Sequence, residues 1–336
     1  MTSEAFLRPE GGDADSGLDL ALRPRSFDEF VGQRALVENL RVFIAAARGR
    51  GEPLDHLLLS GLPGLGKTSL AHIIAHEMGA TCRATSAPAL ARPADLAGLV
   101  TNLERGDVLF IDEIHRLPPV VEEYLYAAME DFEIDIMIDQ GPSARSVKIP
   151  LPPFTLVGAT TREGQLGAAF RSRFGHVEKL RLYDTEELTS IVRQSAARLR
   201  LEIEDAAASV VASRARGTPR IANRLVKRVR DFAQVSGDGR ATNAVAALAL
   251  GRLGIDEHGL GETDRRLLLA LHGAGRPLGL KALAVAVGEE EETVEDVYEP
   301  FLMTQGFLLR TPRGRCLTPR GEAWARGSAP EPGRLF

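Results

Sequence analysis

The chain alternates between short apolar runs that end in polar or glycine-rich turns and longer segments whose apolar residues recur every three to four positions. Leu57–Leu59, Val108–Ile111 and Phe154–Ala159 are of the first kind and predict buried strands. Segments 35–47, 69–78, 94–103 and 120–129 are of the second kind and predict helices, with a shorter helix over 166–173. Strands alternating with helices imply a parallel α/β sheet covered on both faces. Phe132 to Asp139 alternates apolar and acidic residues, and after a Gly-Pro turn Arg145 to Pro150 runs back with two basic residues. This predicts a β-hairpin over about 132–150 with charge pairs across its ladder, serving either as a docking arm or as an edge ribbon.

Beyond residue 184 the pattern turns wholly helical, with helices predicted over 185–199, 206–214, 219–235 and 243–253. From 263 three more helices (264–271, 280–287 and 292–305) precede a hairpin, Gly306–Arg310 and Arg315–Thr318, which is the winged-helix pattern. The expected organisation is a polar tail over 1–17, an α/β domain over 18–183, a small all-α domain over 184–254 and a winged helix over 257–336.

At 336 residues the chain exceeds what one core supports, in keeping with several domains. A formal charge of −5 excludes a chain that is basic throughout, so any nucleic-acid contact is local. Two distant cysteines, Cys82 and Cys316, suit a reducing compartment, and no apolar run approaches a membrane span. A soluble, cytoplasmic protein is expected.

The candidate chemistry sits at the strand ends. Gly61-x-x-x-x-Gly66-Lys67-Thr68 follows the first apolar run and opens a helix. Glycines there turn backbone N–H groups toward phosphate oxygens, the lysine reaches the β- and γ-phosphates, and the threonine hydroxyl takes a Mg²⁺ position. The second run ends in Asp112-Glu113, an acid for Mg²⁺, directly or through water, and an acid to polarise the attacking water. The third ends in Thr160-Thr161, and either hydroxyl can meet the γ-phosphate. Arg220, after Gly217-Thr-Pro219, could reach a bound phosphate, and with Arg224 and Arg228 it forms a basic stripe that reads as a solvated face. His72 and His76 are one turn apart but lack the glutamate of a zinc-protease helix, so both read as ordinary helix residues. In the winged helix the third helix is acidic, with Glu289–Glu292, Glu295, Asp296 and Glu299. The wing carries Arg310, Arg313, Arg315 and Arg320 with few acids near. DNA contact is therefore expected through the wing, mostly to backbone.

Taken together, SGLPGLGKTSLA, DVLFIDEIHRL, GATTREG, RSRFG, ARGTPRIANRLVKRVRDFA, VYEPFL and GFLLRTPRGR resemble the AAA+ ATPases, and within them the RuvB family of Holliday-junction branch-migration motors. The resemblance runs from about Leu22 to Arg326. It implies an AAA+ P-loop domain, a small helical AAA+ domain and a winged-helix head. It also implies ATP hydrolysis with Mg²⁺, a hexameric ring on duplex DNA, and a role in recombination, repair and the SOS response. Leu22, Arg23 and Tyr183 would border the adenine. Gly64, Gly66, Lys67, Thr68 and Ser69 would hold the phosphates and Mg²⁺, and Glu130, Asp131 and Phe132 would lie near nucleotide. Thr160 or Thr161 would be the first sensor and Arg220 the second, with Arg173 the arginine finger supplied to the next subunit. Arg310 and Arg315 match the DNA-contacting wing positions. The hairpin would bind RuvA, the junction-recognising partner, and the RuvC resolvase would join a larger complex. The acidic run Glu289–Glu292 departs from the family pattern, which has a basic residue there. An alternative within the same superfamily is a clamp-loader-like or initiator-like ATP switch on DNA.

Overall fold

The computed structural model describes residues 20–137, 146–236 and 238–328. They fall into two compact units, Arg23–Leu182 and a second that begins at Tyr183 and also takes in Leu22.

In the first unit, helix α1 (Arg34–Arg50) precedes strand β1 (Leu57–Ser60), which is buried along its whole length. Helix α2 (Lys67–Met78) leads to β2 (Cys82–Ser86), and helix α3 (Pro93–Val100) to β3 (Val108–Asp112). Helix α4 (Pro119–Glu130) is followed by the hairpin strands β4 (Glu133–Met137) and β5 (Ser146–Pro150). Then come β6 (Thr155–Thr160), the short helix α5 (Ala168–Arg171) and β7 (His176–Lys179). The main sheet has the order β2-β3-β6-β1-β7, with every pair parallel. Fully buried central strands of Leu, Val, Ile and Phe are what a sheet with helices on both faces demands. Leu109, Ile111 and Leu156 pack with Leu96 and Val100 of α3 and Val121 and Leu125 of α4. Helix α2 packs on β3 and β6, and α1 packs on α2.

The hydrophobic pattern predicts neither β2 nor β7. Both lie at sheet edges and are only partly buried, so β2 reads Cys-Arg-Ala-Thr-Ser and β7 His-Val-Glu-Lys with no apolar run. The hairpin forms as expected. Asp135 stands opposite Lys148 in the ladder, and Lys148 pairs with Glu133. Its tip, 138–145, lies outside the described residues.

The second unit opens with α6 (Thr185–Arg198), whose start is dictated locally. Asp184 accepts from the Glu187 N–H at 2.8 Å, and Glu187 accepts from the Asp184 N–H at 3.1 Å, a reciprocal capping box. Helices α7 (Asp205–Ser213), α8 (Pro219–Ser236) and α9 (Asn243–Arg252) follow, with a two-residue parallel pairing of β8 (Glu202–Ile203) and β9 (Arg240–Ala241). The basic stripe of α8 departs from expectation. Of its three arginines Arg220 is exposed and Arg228 half-buried, but Arg224 is 6 % exposed and so is buried within this unit rather than solvated, as is the neighbouring Lys227.

The winged helix comprises α10 (Glu262–Ala274), α11 (Leu280–Val287) and a third helix, α12. Helix α12 runs as Glu291–Thr293, a π-helical turn Val294–Tyr298 and Glu299–Thr304. The wing strands are β10 (Leu308–Thr311) and β11 (Gly314–Leu317), followed by α13 (Pro319–Ser328), which the periodicity does not predict. Its core gathers Leu267, Leu268, Leu271, Leu283, Val294, Tyr298 and Phe307.

Candidate nucleotide site and wing

The phosphate-loop pattern occupies the turn between β1 and α2. Gly61, Gly64 and Gly66 have φ of 144°, 82° and 100°, values that side-chain-bearing residues rarely adopt. The loop can therefore turn its N–H groups inward, and the first-turn N–H groups of α2 have no acceptor within the helix. Lys67 is 7 % exposed, and its Nζ donates to the carbonyls of Gly61 at 2.7 Å and Leu62 at 3.0 Å. The ammonium thus lies folded along the loop. Thr68 and Ser69 follow it in the first turn of the helix.

The neighbouring strand ends bring up the acids. Asp112 closes β3 and accepts from the Glu113 N–H at 3.0 Å. Glu113 has a left-handed backbone, φ 49°, which turns its side chain away from the strand's path. Its Oε2 accepts from the Thr161 hydroxyl at 2.9 Å and the Thr161 N–H at 3.3 Å, and His115 Nδ1 lies 3.3 Å away. Thr160 plays a different part. It is fully buried, its carbonyl accepts from the Gly61 N–H at 3.1 Å, and its hydroxyl pairs with His115 Nδ1 at 2.9 Å. Sequence alone left the two threonines equivalent; the fold gives Thr161 to the acid and Thr160 to the sheet. The sequence alone gives His115 no role. Its only signal was its position two residues beyond Glu113.

Thr68 and Asp112 offer a hydroxyl and a carboxylate, the oxygen-only chemistry that suits Mg²⁺. Among the described residues no cluster of three or more His, Cys, Asp or Glu side chains is arranged to hold a metal by itself.

Arg173 lies just beyond α5. Its guanidinium stacks on the Tyr126 ring at 4.2 Å, and Nη1 donates to the Ala169 carbonyl at 2.6 Å. Nε is 3.1 Å from Glu130 Oε1, an ion pair not aligned as a hydrogen bond. Burial, and then the Glu122 carboxylate that accepts its hydroxyl proton, push the Tyr126 phenol up to about 12, so Arg173 stacks on a neutral ring. The 130–132 stretch, for which sequence offered no local reason, acquires one here. Glu130 holds Arg173. Asp131 caps α4, and Phe132, at φ 50°, packs edge-on against Phe154 at 5.9 Å.

Arg23 belongs to the same unit as the loop, and its charge lies close enough to His72 to oppose protonation there, after the larger effect of burial. Leu22, Tyr183 and Arg220 belong to the other unit. There Leu22 and Tyr183 are buried, the Leu22 carbonyl accepts from Arg198, and the Tyr183 N–H donates to the Gly217 carbonyl at 2.9 Å. Arg220 lies exposed in the first turn of α8.

The wing corrects one expectation. Acids do lie near its arginines. Arg310 pairs with Glu295 at 2.5 Å, and Arg315, 7 % exposed, makes a two-pronged pair with Glu299, itself 2 % exposed. Arg315 is thus not the solvated cation the pattern suggested, but a buried link between β11 and α12. Arg310 remains half exposed, and Arg313 sits at the exposed turn. Part of the negative charge of α12 is neutralised by the wing.

Sequence models of three domains match the chain nearly end to end. The Holliday junction DNA helicase RuvB P-loop domain matches 22–180, the RuvB AAA lid domain 183–256, and the RuvB C-terminal winged helix domain 257–324. The chain belongs to the RuvB family. Among RuvB relatives, a protein of Myxococcus xanthus named Holliday junction branch migration complex subunit RuvB is 59 % identical over 308 residues, covering 91 % of this chain and 90 % of that one. The protein of the same name from Salinibacter ruber is 58 % identical over 311 residues, covering 92 % and 90 %. In structure, the chain is similar to the RuvB Holliday junction branch migration motor of Thermotoga maritima. The TM-score is 0.82 at 48 % identity, over 91 % of this chain and 98 % of that one. A mutant of that protein gives a TM-score of 0.84 at the same identity, covering 92 % and 99 %. The RuvB-family P-loop unit, lid and winged helix thus follow one another in the order the sequence predicts.

Proposed function

We propose that this chain is the ATP-driven motor of a Holliday-junction branch-migration complex. The observation that supports this most directly is the meeting of Glu113 and Thr161 at the strand ends beside the Gly61–Thr68 loop, in a chain that matches the RuvB family from P-loop to winged helix.

In this reading Gly64, Gly66, Lys67, Thr68 and Ser69 bind the phosphates, and Leu22, Arg23 and Tyr183 border the adenine. Thr68 and Asp112 would hold Mg²⁺. The ion, when bound, offsets charge on the β- and γ-phosphates. Glu113 orients and deprotonates the attacking water, and Thr161, already bonded to that carboxylate, is the first sensor. Because the reaction is phosphoryl transfer to water, catalysis is mostly positioning and charge stabilisation. Arg173, paired with Glu130, reaches the ATP of the next subunit in a hexameric ring, and Glu130, Asp131 and Phe132 lie near nucleotide. Arg220 senses the γ-phosphate from the lid and lets the lid turn when that phosphate leaves. Arg310 and Arg313 contact DNA backbone, and Arg315, buried against Glu299, braces the wing that carries them. The β4–β5 hairpin docks RuvA, and RuvC joins the assembly. The site of action is the cytoplasm.

The decisive experiment is dissociation of a synthetic four-way junction by the purified chain with ATP and Mg²⁺, with and without RuvA. Continuous dissociation that tracks ATP consumption is expected. A single round of DNA loading, with ATP binding sufficient and hydrolysis needed only for reset, would instead support the clamp-loader-like reading.

For the wing, Arg310→Ala should weaken duplex binding uniformly across sequences and reduce the slope of log K against log salt by about 1. A titration series across salt concentrations reads this directly; an unchanged slope removes Arg310 from the contact.

A further inference from the structure

Two arginines flanking the start of α8 have different surroundings. Arg220 is exposed in the helix's first turn, whereas Arg216, four residues earlier, is 4 % exposed. Arg216 does not point back into the lid. Its guanidinium makes a two-pronged ion pair with Asp264, the fully buried third residue of α10 in the winged helix, and stacks on Phe301 of α12 at 4.6 Å. Asp264 also accepts from the Gly261 N–H at 2.7 Å, capping α10. Thus one side chain, planted at the root of the sensor helix, grips the N-terminus of the head's first helix and a ring on its third.

The arrangement is costly. Arg216 has a left-handed backbone, φ 56°, without being glycine, and its Nε is buried with no hydrogen-bond partner. Burial drives the Asp264 carboxyl above the usual range even against the pull of Arg216. Buried ion pairs seldom add net stability over apolar residues of similar shape, so stability alone is a weak reason for this one.

An independent feature points the same way. The connection between lid and winged helix is hydrogen-bonded throughout. The Asp256 carboxylate accepts from the N–H groups of His258 at 2.9 Å and Leu260 at 2.8 Å. Arg265 of α10 donates to the carbonyls of Gly254 and Leu260, both at 3.0 Å. Gly259, at φ 76°, lets this turn approach the Arg214 backbone; a Cβ there would lie 3.3 Å from the Arg214 Cα.

We propose that the Arg216–Asp264 pair locks the winged helix to the lid, so that the two turn as one body and any displacement of α8 is delivered to the wing. Arg216 and Asp264 are positioning residues in this scheme: they touch neither nucleotide nor DNA. The use made of the lock rests on the motor reading above, but its existence does not.

The test therefore begins with a measurement independent of motor activity. Spin labels are placed on the exposed Val235 of α8 and Val285 of α11 through Val235→Cys and Val285→Cys, in a Cys82→Ser/Cys316→Ser background. The full chain should give one narrow distance distribution, the same with ADP and with a slowly hydrolysed ATP analogue. Arg216→Lys, which keeps a charge but loses the two-pronged grip and the stacking, should broaden it. The double change Arg216→Met/Asp264→Leu, which keeps the volume apolar, should broaden it as well. A parental distance that is broad, or that shifts with nucleotide, overturns the proposal; so does a distribution that stays narrow in Arg216→Lys.

The second arm reads coupling. With duplex binding and ATPase near parental values, Arg216→Lys should lower junction dissociation per ATP by about tenfold, the scale of an ordinary inter-site coupling. Loss of ATPase, DNA binding and melting temperature in parallel would make the pair merely structural and overturn its transmitting role. If the parental chain dissociates no junction while the distance results hold, the motor reading fails and the lock stands.

Discussion

Glu113→Gln is expected to bind ATP with near-parental affinity yet hydrolyse it about 10²–10⁴ times more slowly, the usual contribution of a positioned general base. The geometry makes the substitution clean. The carboxylate oxygen that accepts from the Thr161 hydroxyl and N–H can be replaced by an amide oxygen on the same two donors, so the local hydrogen bonds survive. The base is lost and little else. Fluorescent-nucleotide titration, phosphate release and a thermal melt should show intact binding, collapsed turnover and unchanged stability. Turnover within a few-fold of the parent would take the role of base away from Glu113, and His115, beside the same oxygen, would be the next residue to substitute.

Arg173→Ala is expected to lower ATPase by about 10³–10⁵, the value typical of an arginine supplied to a phosphoryl-transfer site from a neighbour. In its own subunit the side chain is held folded back. The Tyr126 ring and the Glu130 carboxylate hold the guanidinium by a stack and an unaligned ion pair, both weak enough to exchange for a phosphate. If the site is shared between subunits, Arg173→Ala should regain activity when mixed with Lys67→Ala. A ring containing both has some interfaces with an intact loop on one side and an intact arginine on the other. Mixed rings can be verified by native mass spectrometry. Absence of rescue in rings shown to be mixed would place the arginine in its own subunit's chemistry or outside it.

Much of the α/β unit is legible in the sequence. Leu57–Leu59 and Val108–Ile111 announce buried parallel strands because a strand covered on both faces must be apolar at every position. The glycines, Lys67 and Thr68 declare their ligand because phosphate binding needs backbone freedom and a cation at fixed spacing. The edge strands Cys82–Ser86 and His176–Lys179 were not legible, because a half-exposed edge has no continuous apolar signature. The helix Pro319–Ser328 was missed for a related reason. Its ten residues include two glycines and few apolar positions, and its order comes from packing against the winged-helix core through Ala325 and Trp324.

The site divides in the same way. Residues adjacent in the chain, such as those of the phosphate loop or the Asp112-Glu113 pair, carry their chemistry in their spacing. Whether Thr160 or Thr161 serves the acid, whether Arg315 is exposed or buried, and what Glu130 does are questions about partners 16 to 48 positions away in sequence. Charge counting made the wing look freely basic because it cannot see that β11 lays Arg315 against α12.

The amino-acid order alone therefore determined the kind of machine: a phosphate loop, an acidic strand end, a helical lid and a winged helix, each specified by short-range periodicity and turn chemistry. Only the tertiary structure decided which polar groups face each other, namely Thr161 on Glu113, Tyr126 on Arg173, Glu299 on Arg315 and Asp264 on Arg216. The physical reason is that burial and pairing are set by strand order and helix packing, and a charge in the sequence carries no mark of the partner that will neutralise it.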